Sequence, residues 1–134
     1  MKESLLTLAF LVLTVSCKKD GSSSDSCNGA TCTTDFRTVT VYLTDGSGPA
    51  HAIDSIRVLG PDGQPTRVQN TVYPGPGHYA VASDDWVRTD PKAALSFRVK
   101  VFQNGQPVVD TPYQVGTDCC HVFKISGPDT IRIR

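Results

Sequence analysis

The clearest strand in the sequence is LSFRVKVF, residues Leu95–Phe102. One face carries only apolar side chains, namely Leu95, Phe97, Val99 and Val101. The other face carries Ser96, Arg98, Lys100 and Phe102. Because side chains alternate between the two faces of a strand, this period of two predicts a strand with one buried and one exposed face. Asn104-Gly105 follows and is typical of a two-residue hairpin turn, in which both central residues need a positive φ.

Further strand-like segments lie on both sides of this stretch. They are Thr38–Thr44, Ile53–Leu59, Arg67–Gln69 and Tyr79–Ala82 before it, and Val108-Val109, His121–Ile125 and Ile131–Ile133 after it. Pro107 indicates that Val108-Val109 lies at a sheet edge, because proline cannot donate a ladder hydrogen bond. The side chains expected to point inward in the last two segments are His121, Phe123, Ile125, Ile131 and Ile133. Seven or eight short strands separated by turns predict an all-β fold, a two-sheet β-sandwich of mainly antiparallel strands.

The N-terminal segment has the pattern of an export signal. Leu5–Val15 is an uncharged run of 11 residues. A membrane-spanning helix needs about 20 apolar residues, whereas the apolar core of a secretory signal peptide has about this shorter length. The alternative is ordinary secretion with a free cysteine, but an A-x-A-like cleavage site is absent.

The end of this run, Thr14-Val15-Ser16-Cys17, resembles the lipobox of bacterial lipoproteins, although that family usually has leucine where Thr14 stands. The resemblance implies a signal peptide over residues 1–16 and acyl chains on Cys17. Two or more chains hold a protein stably on a membrane, so the membrane is an expected partner. By analogy with lipoprotein sorting signals, Lys18-Lys19 favours the outer membrane of a bacterium, facing the periplasm or the cell surface.

The mature chain divides into two parts. Residues 17–36 are predicted to form a lipidated, Ser/Gly-rich tether that includes Cys27 and Cys32, and residues 37–134 the β-sandwich domain. The stretch KKDGSSSDS, Lys18–Ser26, has nothing apolar to bury and is typical of a flexible linker.

The charges balance overall but are unevenly distributed. The chain has 13 basic and 13 acidic side chains, which argues against a nucleic-acid partner. Residues 35–90 carry four basic and seven acidic side chains, and residues 91–134 carry six basic and three acidic ones. Basic residues expected to point outward in the later part are Arg98, Lys100, Lys124, Arg132 and Arg134. They are a candidate partner-binding face for an anionic glycan or a protein of the envelope, and the alternative is a solvated sheet face.

Two strands carry a weaker resemblance. Val39-x-Val41-x-Leu43 and Gly77-x-Tyr79-x-Val81 resemble the carboxypeptidase-regulatory or transthyretin-like sandwich modules of secreted bacterial proteins. An immunoglobulin-like topology is the alternative. Either resemblance implies a binding or spacer module, and neither transfers a catalytic residue.

Four cysteines remain besides Cys17, namely Cys27, Cys32, Cys119 and Cys120. An even number in an exported chain predicts disulfides. Neighbours on a strand face apart, so Cys119 and Cys120 are expected to pair with the two earlier cysteines and not with each other. This leaves two pairings, 27–119 with 32–120 or 27–120 with 32–119. On the inward row of His121, Phe123 and Ile125, Cys119 is expected to share the core side and Cys120 to point outward.

Other chemistry is weakly indicated. Asp118-Cys119-Cys120-His121 contains zinc and nucleophile residue types, but its spacing matches no common metal site or redox motif. His51 and His78 are predicted at the surface, and Trp86 folded onto the sandwich. No cofactor or catalytic motif is predicted. The sequence therefore favours a non-catalytic binding or structural module of the envelope. The alternative is a small metal-handling or thiol-based enzyme using Cys119-Cys120-His121.

Overall fold

The computed structural model of the protein describes residues 27, 29–66, 75–87 and 94–134. The predicted signal peptide, Cys17, the segment Lys18–Ser26 and the predicted strand Arg67–Gln69 lie outside the described residues. The described chain forms the 3-10 helix Asp84–Trp86 and seven strands: β1 (Thr38–Thr44), β2 (Ser55–Leu59), β3 (His78–Ser83), β4 (Ala94–Gln103), β5 (Gln106–Thr117), β6 (Val122–Ser126) and β7 (Thr130–Arg132). The prediction of an all-β fold is confirmed.

The strands form two sheets, as predicted for a β-sandwich. A three-stranded sheet has the order β3-β1-β7 and a four-stranded sheet the order β2-β4-β5-β6. All pairs are antiparallel except β1 with β7. The predicted inward row of β4 is buried, and it meets the buried row of β1 and the side chains of β3 and β5 in one core. Its largest fully buried members are Tyr113, Leu43, Val41, Val81, Val99, Val101 and Val115.

The β4–β5 hairpin forms where the sequence predicts it. Asn104 and Gly105 have φ values of 52° and 72°, which a type I′ turn requires. Pro107 lies in β5, which is an interior strand of its sheet. However, β6 pairs only with residues Gln114–Thr117 of β5. Among the described strands, the earlier half of β5 therefore has β4 as its one ladder partner, and proline is tolerated there.

The predicted orientation of β6 is wrong by one residue. Phe123 and Ile125 were expected inward, but they are 47% and 54% exposed, while Val122 is buried. Residues 118–121 form a turn instead of a strand, and the ladder between β5 and β6 has a register shift at Gln114/Val115. A shift of one residue exchanges the two faces of a strand. Phe123 consequently covers Gly116 on the outer face, and Lys124 takes the side of Val122.

The two ends of the sandwich differ in their connections. We call one the disulfide end; it comprises Cys27, residues 29–37, the 3-10 helix and the β5–β6 turn at residues 118–121. We call the other the hairpin end; it comprises the β1–β2 connection at residues 45–54 and Asn104-Gly105. At the hairpin end, the Asp54 carboxylate joins the β1–β2 connection to the β4–β5 turn, because it accepts a hydrogen bond from the Gly105 N–H at 2.7 Å.

Candidate functional site

All four described cysteines meet at the disulfide end. Cys27 is bonded to Cys119 and Cys32 to Cys120, each with its two Cα atoms 5.3 Å apart. The structure thus selects one of the two pairings that the sequence left open. Cys119 and Cys120 are both half-buried in the β5–β6 turn, so the expectation that one faces the core and the other solvent, drawn from strand alternation, is wrong. In this oxidised state neither offers a thiolate to a metal or a substrate.

Asp118 shapes the turn that carries these cysteines. Its Oδ1 accepts hydrogen bonds from the backbone N–H groups of Cys120 and His121, both at 2.7 Å. The bond from Cys120 and then the bond from His121 lower the pKa of the Asp118 carboxyl below its ordinary value. The charged carboxylate is therefore the form that fixes the turn.

His121 joins two residues that are distant in sequence. Its Nδ1 lies 2.8 Å from Asp84 Oδ2, and its Nε2 lies 3.0 Å from Thr33 Oγ1. The Asp84 carboxylate can only accept, so a neutral His121 must carry its proton on Nδ1. Nε2 is then an acceptor, and the Thr33 hydroxyl donates to it. The side chains of His121 and Asp84 are each only 9% exposed, which keeps this pair out of bulk water, whereas Thr33 is exposed.

Asp84 is held by the backbone around it. It begins the 3-10 helix after β3, and its carboxylate accepts hydrogen bonds from the N–H of Arg37 at 2.7 Å and of Val122 at 2.8 Å. Trp86, two residues later, packs edge-on against Phe97 with 5.1 Å between ring centroids. The prediction that Trp86 folds onto the sandwich is confirmed. Through its hydrogen bonds to the N–H groups of Arg37 and Val122, Asp84 joins the N-terminal segment, the 3-10 helix and β6.

Two clefts open beside this cluster. One has a volume of about 300 Å³, and its lining includes Thr33, Phe36, Asp84, Val87 and His121. The other, of about 370 Å³, shares Thr33 and His121 but lies toward Arg37 and Asp118. Cys119 and Cys120 line both. The Thr33–His121 hydrogen bond is thus reachable from two openings.

The predicted basic face is brought together only in part. Arg98 and Lys100 lie on the outer face of β4 and both pair with Asp110 of β5, Lys100 at 3.4 Å. The hydrogen bond from Arg98 is the main cause that lowers the pKa of the Asp110 carboxyl. Arg57, opposite Lys100 on β2, adds a third cation, with its guanidinium 5.1 Å from the centre of the Phe102 ring.

The other predicted members of that face lie elsewhere. Lys124 pairs with Asp129 near the β6–β7 connection. Arg132 belongs to the three-stranded sheet, where its guanidinium lies against Gly46. We therefore define the basic face as Arg57, Arg98 and Lys100 together with Asp110.

Within the described part of the chain, no three His, Cys, Asp or Glu side chains are grouped so that they could hold a metal ion. The same residues contain no helix that is long and apolar enough to cross a bilayer.

His51 is exposed, as predicted, and His78 lies at the start of β3 with its ring 4.8 Å from that of Tyr42.

Comparison of the chain with family models, with curated proteins and with solved structures finds no match. Sequence reasoning missed the grouping of Thr33, Asp84 and His121, because 88 residues separate the first from the last. One signal could have indicated it. Thr33 follows Cys32 and His121 follows Cys120, so a Cys32–Cys120 disulfide brings Thr33 and His121 close together.

Proposed function

We propose that the protein is an exported, lipid-anchored β-sandwich module that binds an anionic polymer of the bacterial cell envelope. Cys17 would carry the anchor, and the basic face would be the recognition surface. The resemblance of the leader to a lipoprotein signal and of two strands to secreted sandwich modules supports the class. The observation that carries the binding proposal is the group of three cations on the basic face, of which Arg98 and Lys100 share the single carboxylate of Asp110 and Arg57 lies across from Lys100.

The disulfides support an extracytoplasmic location and suggest an orientation. Structural disulfides persist in oxidising compartments. The nine residues Lys18–Ser26 have a reach of about 15–18 Å if they behave as a flexible chain. Because Cys27 is bonded to the β5–β6 turn, an anchor at Cys17 would keep the disulfide end toward the membrane. The hairpin end would then point away from it.

The basic face has the charge and shape for an extended anion. Arg57 and Lys100 are cross-strand neighbours, and Arg98 is two residues from Lys100 on the same face. Asp110 neutralises one of the three positive charges, so the face keeps an excess of two. The side chain of Arg98 is 53% exposed, which leaves donors free for carboxylate or phosphate groups, and an arginine fork suits both.

The binding proposal is tested with sodium alginate as the anionic probe and dextran as the neutral one. We expect the double variant R98E/K100E to bind alginate at least about tenfold more weakly, and wild-type binding to fall with salt, because exposed charges are screened beyond about 10 Å at 0.1 M. The matched control is K124E/R132E, which changes the net charge equally but lies off the basic face. Equal weakening by both variants would refute a local recognition surface.

The anchor is tested separately by labelling cells that express the protein with an alkyne fatty acid. We expect the wild type to be labelled and C17S to lose the label. The S26A variant, changed in the tether, serves as the control and is expected to be labelled normally. A C17S protein that still takes up the label would refute lipidation at this residue.

A further inference from the structure

We propose that Thr33, His121 and Asp84 form an acyl-transfer site that hydrolyses small carboxylic esters. Thr33 would be the nucleophile and His121 the general base, while Asp84 would be the positioning residue that orients the imidazole. This activity goes beyond the proposed binding of a polymer, and it uses the disulfide end instead of the basic face.

The connectivity of the three side chains is the first support. A hydroxyl nucleophile is activated when an imidazole nitrogen accepts its proton and a carboxylate holds the other nitrogen. Thr33 Oγ1 lies 3.0 Å from Nε2, and Asp84 Oδ2 lies 2.8 Å from Nδ1. Both distances fall within hydrogen-bond reach, and each nitrogen faces the partner that the mechanism needs.

The rigidity of the surroundings is the second support. The Cys32–Cys120 disulfide lies one residue before both Thr33 and His121, so a covalent link holds the two backbones together. The Asp84 carboxylate is fixed by the N–H groups of Arg37 and Val122. Side chains held in this way by neighbouring contacts need little reorganisation before reaction.

The cleft indicates the size of the substrate. Its volume of about 300 Å³ places it at the small end of ligand sites. Phe36 and Val87 give it apolar surface, while Thr33 and His121 line the same cleft. A short acyl group bound against this apolar surface would bring its carbonyl carbon toward the Thr33 hydroxyl.

The reaction would proceed in two steps, acylation of Thr33 and hydrolysis of the acyl-threonine. Thr33 Oγ1 forms a bond to the ester carbonyl carbon while its proton moves to His121 Nε2. The bond to the leaving alkoxide then breaks, and that oxygen takes the proton from Nε2, which leaves an acyl-threonine. Water attacks this second ester and gives its proton to Nε2. The bond between the acyl carbon and Thr33 Oγ1 then breaks, Oγ1 takes the proton back from Nε2, and the carboxylic acid leaves.

The test uses the purified protein with its disulfides intact and p-nitrophenyl acetate as the substrate. We expect the wild type to release nitrophenol above the buffer rate and T33V to lose about 100-fold or more of that activity. The T33S variant keeps the hydroxyl and is expected to retain activity. The matched control T31V removes an exposed hydroxyl from the same segment and is expected to leave the rate unchanged.

Two readouts separate catalysis from a purely structural hydrogen bond. Mass spectrometry after an acid quench should locate an acetyl group on Thr33 in the wild type. The pH profile should show a rise in rate that H121Q abolishes, and D84N should lower the rate because its amide no longer holds the required tautomer. Full activity of T33V, or acetylation confined to other residues, would overturn the proposal. Alginate binding by R98E/K100E reports on the proposed function independently of these outcomes.

Discussion

The two ends of the sandwich are held together by different kinds of interaction. At the disulfide end, two covalent bonds and the buried Asp84 carboxylate join segments that are far apart in the chain. At the hairpin end, exposed turns close over a few residues. Asp45 Oδ1, for example, accepts the Ser47 N–H at 2.8 Å and the Ser47 hydroxyl at 2.7 Å.

This difference explains where chemistry is concentrated. The turns of the hairpin end are stabilised by their own residues, and their polar groups stay in contact with water. In one of them, the hydrogen bond from the Ser47 hydroxyl is the main cause that lowers the pKa of the Asp45 carboxyl. The disulfide end instead removes an imidazole and a carboxylate from water and fixes their partners. Burial of polar groups costs free energy unless each group is hydrogen-bonded, and a buried network whose members are all hydrogen-bonded holds its side chains in one geometry. Four variants of the protein test this contrast.

Removal of both disulfides should have the largest effect. The links span 92 and 88 residues, and in the chain-entropy account the first contributes about 4.6 kcal/mol. With the first in place, the second closes a ring of only about eight residues and adds about 2.5 kcal/mol. We expect a variant with all four cysteines changed to serine to lose on the order of 7 kcal/mol in urea unfolding.

The control for this prediction is C32S/C120S, which keeps the Cys27–Cys119 bond. It is expected to lose about 2.5 kcal/mol. If the two variants were equally stable, the long-range closure would not be what holds the disulfide end.

Loss of the Asp84 carboxylate should have the next largest effect. The D84A variant leaves the N–H groups of Arg37 and Val122 and the Nδ1 of His121 without their acceptor. We expect the free energy of unfolding to fall by about 3 kcal/mol, because the partly buried donors of Val122 and His121 lose a charged partner. The matched change at the hairpin end is D45A, which also removes an acceptor of three hydrogen bonds. Water replaces that acceptor, so a D45A loss as large as the D84A loss would contradict the contrast.

A backbone effect should dominate at the hairpin end. Gly105 has a φ of 72°, and a Cβ added there would meet nothing within 4 Å. The cost of G105A is therefore the left-handed backbone alone, about 1–2 kcal/mol. Gly48 has equally open space without a positive φ, so G48A is the control and is expected to be nearly neutral in thermal unfolding. A neutral G105A would show that the turn tolerates a different backbone.

The smallest effect concerns Tyr113, which links the core to the β6–β7 connection. Its hydroxyl donates a hydrogen bond to the Pro128 carbonyl at 2.7 Å. We expect Y113F to lose about 1 kcal/mol at neutral pH. Burial and then the charge of Asp129 raise the pKa of Tyr113 from 10.0 to about 12.

The raised pKa of Tyr113 gives this prediction a pH dependence. Because the pKa of Tyr113 is higher in the folded state, the unfolded protein loses the phenol proton at a lower pH than the folded protein does. The contribution of the neutral phenol to stability is therefore complete below about pH 10 and is lost as the pH rises toward about 12. Y113F should therefore lose less stability than the wild type over this interval in urea unfolding. Parallel pH curves for the two proteins would contradict the assignment.

The sequence predicted the strands well because their signal is local. The alternation in β4 and β1 and the Asn104-Gly105 turn each depend on neighbouring residues, and all three are confirmed. The prediction for β6 was wrong although its alternation is equally clear. The register of β6 depends on the turn before it, and that turn is set by Asp118 and by disulfides to a distant segment.

By itself, the sequence determined that the chain is all-β, where most of its strands lie and which face of β4 is buried. It also predicted that the two early cysteines bond to the two late ones. Only the tertiary structure decided which cysteine takes which partner, which residues of the basic face meet, and that Thr33, Asp84 and His121 converge. The physical reason is the range of the interactions. Strand periodicity and turn conformation are written in adjacent residues, whereas a hydrogen bond between residues 33 and 121 exists only after both sheets have packed.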